Sequence, residues 1–106
     1  MQVTELLHNK PPFIPQDSNG MIQVIELPPG DAGAGAHRHS GPVFGTYSKV
    51  KVLFELEGDE PYPIKAGEAF FEPGGDVIHY QAANLCSDRT SRFVFRALLV
   101  PDTGWQ

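Results

Sequence analysis

At 106 residues and 41% hydrophobic content, the chain is sized for one compact domain with a single core. A count of 8 Lys and Arg against 13 Asp and Glu gives a net charge of -5 with no basic run, which argues against nucleic acid as a partner because phosphate binding needs clustered cations. Apolar runs fall far short of the roughly 20 residues that cross a bilayer, the start Met1-Gln2-Val3-Thr4-Glu5 carries no basic-then-apolar leader, and Cys86 is the one cysteine; the expectation is a cytoplasmic protein with no membrane partner, no intrachain disulfide and no CxxC metal or redox motif.

In chain order, residues 1–10 suit a short strand or a single helical turn, and Pro11-Pro12 with Pro15 stops either from continuing as a helix. Residues 1–19 read as an arm, which either pairs with a partner's sheet edge or frays; both readings are open. Asp17-Ser18-Asn19-Gly20 is a turn by composition, and Met21 to Leu27 is a β-rich run ended by Pro28-Pro29-Gly30. From Ala32 to Ala36, Ala and Gly alternate, a poor helix but a stretch whose backbone can approach a crowded site closely. Val43 to Tyr47 is a short strand with Val43, Gly45 and Tyr47 on one face. Val50 to Glu57 is the clearest strand, its Val50, Val52, Phe54 and Leu56 alternating with a mostly charged face.

Gly58-Asp59 turns the chain, Pro61 to Ile64 is extended, and Ala69 to Glu72 is a strand bounded by Pro73-Gly74-Gly75. Val77 to Ala83 follows, with Val77, His79 and Gln81 on one face. Ser91 to Val100 is a long strand that puts Phe93, Phe95, Ala97 and Leu99 inward. Its other face mixes Arg92 and Arg96 with Val94, Leu98 and Val100 and is suited to packing on a second subunit, so a homodimer is expected. No segment shows a helical period, and eight or so short strands with Pro and Gly turns predict an all-β sandwich or barrel over residues 20–100, with residues 101–106 as a tail.

The residues that carry chemistry are histidines. His37 and His39 stand two apart, so on an extended strand both imidazoles point to one face, and His79 can join them from a second strand. Three neutral imidazoles bind a divalent transition metal and leave a coordination position open for a substrate; surface or packing roles are the alternative for each alone. Gln81, beside His79, could contact a ligand or bound water. Glu72, ahead of Pro73 at a strand end, is a candidate fourth ligand or a surface carboxylate. Tyr47 would bring a ring and a hydroxyl to the same pocket, whereas His8, in the arm, has no route to it. The chain has no Gly-x-Ser-x-Gly elbow, and Gly33-x-Gly35 lacks the rest of a dinucleotide fingerprint.

The punctuation around these histidines resembles the cupin family. Gly67, Pro73, Gly75, His79 and Asn84 follow that family's second motif, with one extra residue before the histidine and one after it; Gly30, His37 and His39 follow the start of the first. The resemblance implies a small jelly-roll barrel, a double-stranded β-helix, with a metal on His37, His39 and His79. It departs at two positions. Where the family has a glutamate ligand, this chain has Val43 or Phe44, and at the closing glycine it has Val50. The site is then expected to be completed by water or by Glu72 or Gln81, around iron, zinc, nickel, manganese or copper. Members of the family include dioxygenases, isomerases, cyclases and decarboxylases, so the resemblance implies a metal-dependent oxidoreductase or isomerase/cyclase acting on a small organic molecule. A ligand-binding sensor, or a structural cupin with a vestigial site, is the alternative.

Overall fold

The computed structural model describes residues 1–100, so the tail assigned to residues 101–106 lies outside it. Among the described residues there are seven strands and no helix: β1 (Asn19–Leu27), β2 (Val43–Lys49), β3 (Val52–Leu56), β4 (Tyr62–Ile64), β5 (Ala69–Glu72), β6 (His79–Ala83) and β7 (Ser91–Leu99). They form a four-stranded sheet in the order β1-β7-β2-β5 and a three-stranded sheet in the order β4-β3-β6, with every pairing antiparallel. This is the all-β architecture expected from the missing helical period, and the double-stranded β-helix that the cupin resemblance implies. With no helix in the described residues, none is long and apolar enough to cross a membrane.

Strict alternation builds both faces of the larger sheet. On β7, Phe93, Phe95, Ala97 and Leu99 are buried while Arg92, Val94, Arg96 and Leu98 are turned outward; on β2, Val43, Gly45 and Tyr47 are buried. The core between the sheets is largely aromatic. Tyr47 packs on Phe93 and Phe70 at centroid distances of 4.9 and 5.4 Å, and Phe54 reaches Phe70 from the opposite sheet at 5.4 Å. Gly45 is required here, because a Cβ would overlap the ring of Phe70, its cross-strand partner on β5.

Three expectations change. The arm forms neither strand nor helical turn; Pro15 lies against Gly41 and Phe13 against Gly75, so its end crosses the loops that carry the histidine motifs. The strand expected from Val50 begins at Val52, because Val50 takes a left-handed backbone with φ of 60° that no strand residue adopts. Position 50 is where the family resemblance expects glycine, the residue that adopts this conformation without strain. The third change is on β6. The β3–β6 ladder slips between Glu55, which faces Gln81, and Leu56, which faces His79, so Tyr80 is an extra residue. His79 and Ala82 therefore point inward and Gln81 outward, and alternation from His79 gives the wrong face for Gln81.

A candidate metal centre

His37 and His79 come together through the backbone. They form an isolated antiparallel bridge, with the His37 N–H donating to His79 O at 3.0 Å and the His79 N–H to His37 O at 2.8 Å. His39, one pleat further on, is held by the Gly75 N–H donating to its carbonyl at 2.8 Å. Glu72 ends β5 on the inner face, directly opposite Val43 of β2. His39 and Glu72 are each only 3% exposed.

The four side chains present their donor atoms in a ring. His37 Nε2 lies 3.2 Å from His39 Nε2 and 3.3 Å from His79 Nδ1, and Glu72 Oε1 lies 3.2 Å from both His39 Nε2 and His79 Nδ1. All four atoms fall within 4.8 Å of one another. Ligands about 2.1 Å from one ion stand roughly 3.0 to 3.4 Å apart at octahedral or tetrahedral angles, so the spacing fits a first-row metal. Hydrogen bonds on the far sides of two rings orient the lone pairs. His37 Nδ1 donates to Gly35 O at 2.6 Å and His79 Nε2 donates to Gln81 O at 2.9 Å; a carbonyl only accepts, so His37 Nε2 and His79 Nδ1 are left unprotonated toward the centre. Glu72 Oε1 is buried and makes no hydrogen bond, and at His79 Nδ1 a lone pair meets a lone pair. The residues present fit a divalent cation.

Electrostatics favour the ligating form. Burial holds the His79 pKa below its usual value of 6.5, partly opposed by the Glu72 charge, so the ring stays neutral near pH 7. Burial, and then Glu72, push Tyr47 far above the ordinary phenol value, and Tyr47 is a neutral donor. Around the ring of four lies an apolar cavity of about 40 Å³, walled by Ile25, Leu27, Phe54, Phe70, Phe93 and Phe95 from both sheets and by Gly33 to Gly35.

Of the residues singled out in the sequence, the structure brings together His37, His39, His79 and Glu72, with Tyr47 in the cavity wall. Two lie elsewhere. Gln81 donates to Glu55 at 3.0 Å on the outer face of the smaller sheet and touches the site only through its carbonyl; Val43 packs fully buried in the core and does not line the cavity. His8 bonds Glu5 in the exposed arm, and the Cys86 thiol donates to Asp88 in a loop. Asn84 of the second motif is a loop staple, its amide donating to the carbonyls of Leu27 and Arg89. Sequence reasoning missed Gly35, whose carbonyl fixes the His37 tautomer; the Gly-Ala run was the signal that backbone comes close there.

No protein-family model matches the sequence, and no curated protein matches it significantly. Solved structures do. A predicted oxalate decarboxylase from Thermotoga maritima is 26% identical over 76% of this chain and 66% of its own, with a TM-score of 0.63. An oxalate oxidase in complex with glycolate is 18% identical over 76% of this chain, with a TM-score of 0.64; the match spans only 42% of that protein. An RmlC-like cupin with a double-stranded β-helix fold from Methanocaldococcus jannaschii aligns over 97% of both chains at 19% identity and a TM-score of 0.66. With two antiparallel sheets closing on an inward histidine cluster and these neighbours, the chain has the fold of the RmlC-like cupins.

Proposed function

We propose that this chain is a metal-binding cupin that holds one divalent transition metal on His37 Nε2, His39 Nε2, His79 Nδ1 and Glu72 and binds or transforms a small organic molecule in the adjoining cavity. The observation that carries the reading is the ring of four donor atoms at 3.2 to 3.3 Å, with His37 half-buried and the other three residues buried, no Lys or Arg among the described lining residues, and two tautomers fixed from behind. A bound metal with an open position supplies a Lewis acid to a ligand oxygen. The chain's own part is to hold the His79 imidazole neutral, exclude water through the aromatic wall and admit only a small ligand. Iron, zinc, nickel, manganese and copper all suit three nitrogens and one carboxylate oxygen.

Glu72 replaces the carboxylate that the family resemblance places at position 43. Val43 and Glu72 are direct cross-strand partners on the inner face, so their Cβ atoms lie about 5 Å apart and a carboxylate from either strand reaches the same centre. Elemental analysis after reconstitution with each of the five metals tests this. Wild type is expected to retain one ion, Glu72→Val and His79→Ala to lose it, and Glu72→Val combined with Val43→Glu to regain it. Wild type that retains none of the five metals overturns the reading.

The outer face of the larger sheet supports a homodimer as the working unit. Ile22 and Val24 on the edge strand β1 are 72% and 62% exposed, and the cross-strand row runs on through Arg96 to Phe44 and Phe71. Light scattering at micromolar concentration is expected to give a dimer mass for wild type and a monomer for Ile22→Asp with Val24→Asp; a monomeric wild type removes the assembly.

A further inference from the structure

The hydroxyl of Tyr47 is an anomaly of the cavity wall. The residue is 2% exposed, its ring is fixed between Phe70 and Phe93, and its hydroxyl oxygen has no hydrogen-bond partner among the described residues. An unsatisfied buried hydroxyl destabilises a fold by more than an ordinary hydrogen bond stabilises it, and phenylalanine at this position would fill the same space without the polar atom. Tyr47 lines the cavity that holds the four ligating groups, and among the described residues that wall it the only acid is Glu72 and there is no Lys or Arg. A divalent ion and the Glu72 carboxylate leave one positive charge in an apolar chamber. A ligand with one negative charge neutralises it, whereas a second negative charge would be buried with no partner.

We propose that Tyr47 is the ligand-orienting donor of this cavity and that the ligand is a small monoanion of the carboxylate type with an apolar flank, an assignment that rests on the metal reading above for the ligand's charge. One ligand oxygen faces the metal, the Tyr47 O–H donates to an oxygen of the same ligand, and the apolar flank lies against the aromatic wall. The cavity of about 40 Å³ restricts the ligand to a few non-hydrogen atoms.

The test uses cobalt-loaded protein, whose visible spectrum reports ligands entering the metal's coordination shell, with acetate, propionate and malonate as probes. Malonate places a second carboxylate where propionate has its methyl group. Propionate is expected to bind at least tenfold more tightly than malonate, although malonate chelates free cobalt better in water. Tyr47→Phe is expected to raise the Kd of propionate about tenfold, the worth of one hydrogen bond to a charged acceptor, with cobalt content unchanged. Without metal or ligand the same variant is expected to melt at the temperature of wild type or above it, because the orphaned hydroxyl is gone. A role confined to packing or folding would move these two readings otherwise. Tyr47→Phe melting lower than wild type in the apo state overturns the assignment of Tyr47 whatever the metal does, as does an unchanged propionate Kd. Malonate binding more tightly than propionate overturns the ligand's charge class, and failure of wild type to take up cobalt overturns the metal reading and the charge argument with it.

Discussion

Two carboxylates on the same four-stranded sheet stand in opposite circumstances. Glu26, on the outer face of β1, is more than half exposed and pairs across the ladder with Arg92 at 2.9 Å. Glu72, on the inner face of β5, is nearly inaccessible and has three imidazoles around it but, among the described residues, no Lys or Arg. Water already solvates the outer charge, so its partner adds little. Among the described residues no Lys or Arg compensates the inner charge, and at that depth an uncompensated carboxylate is a strong destabiliser. The difference is what the proposed metal site requires: an inner carboxylate placed for an external cation and an outer one already served by Arg92 and water.

Replacing each carboxylate by its amide puts the comparison at greatest risk. Glu72→Gln is expected to weaken zinc binding by a hundredfold or more, about 2.7 kcal/mol, and to leave the metal-free protein as stable as wild type or more so, since the buried charge is gone. Glu26→Gln is expected to do neither. Thermal melts with and without zinc read both effects. A Glu72→Gln protein that loses stability without metal and keeps its zinc affinity would make Glu72 a structural hydrogen-bonding residue like any other.

Acid should act on the inner site alone. The His79 pKa is lowered in the fold, chiefly by burial, so below its unfolded value near 6.5 the unfolded chain binds the proton more readily. The stability associated with neutral His79 is thus present above pH 6.5 and is lost as pH falls through the folded value. Metal must also compete with protons on three imidazoles, which steepens the loss for the zinc-loaded form. The melting temperature is expected to fall between pH 7.5 and 5.5 in both forms, more in the loaded one. A flat profile in the metal-free form would contradict the lowered pKa of His79.

The same division between sheet faces explains what could be read before the structure. The β2–β7 ladder slips only past Tyr47, where Lys49 faces Arg92, so alternation from Val43 to Tyr47 and along Phe93 and Phe95 placed Tyr47, Phe93 and Phe95 correctly. β6 carries one extra residue against β3, and the pattern that found His79 misplaced Gln81. A bulge is a property of two strands, and no single strand's hydropathy records it. Glu72 was visible as a residue at a strand end, but its direction depends on facing Val43 across a ladder. The lack of a hydrogen bond at its Oε1, and at the Tyr47 hydroxyl, belongs to three-dimensional packing. The departure at Val50 was legible through the family resemblance, and its consequence is a β-branched residue at φ of 60°. Val50→Gly is expected to relieve about 1 to 2 kcal/mol of that strain, partly offset by the greater freedom of glycine in the unfolded chain. The net gain is about 1 kcal/mol, read as a higher urea midpoint with unchanged metal content; a lower midpoint would mean that the Val50 side chain contributes more by packing than its backbone loses.

The smallest expected effect closes the comparison from its outer side. Arg92 places both Nε and Nη2 on one oxygen of Glu26, at 3.2 and 2.9 Å, and both side chains are about half exposed to water. A double-mutant cycle of Glu26→Gln and Arg92→Gln is expected to give a coupling of about 0.5 kcal/mol, in the range of exposed cross-strand pairs. At 1 M salt, where charges are screened within about 3 Å, it should fall further. Neither single variant nor the double should change zinc content, since Arg92 and Glu26 face away from the cavity. A coupling above about 2 kcal/mol, insensitive to salt, would mean that this pair is desolvated in solution. The natural cause would be a second subunit laid over the outer face, and the coupling should then collapse on dilution below the dimer's Kd.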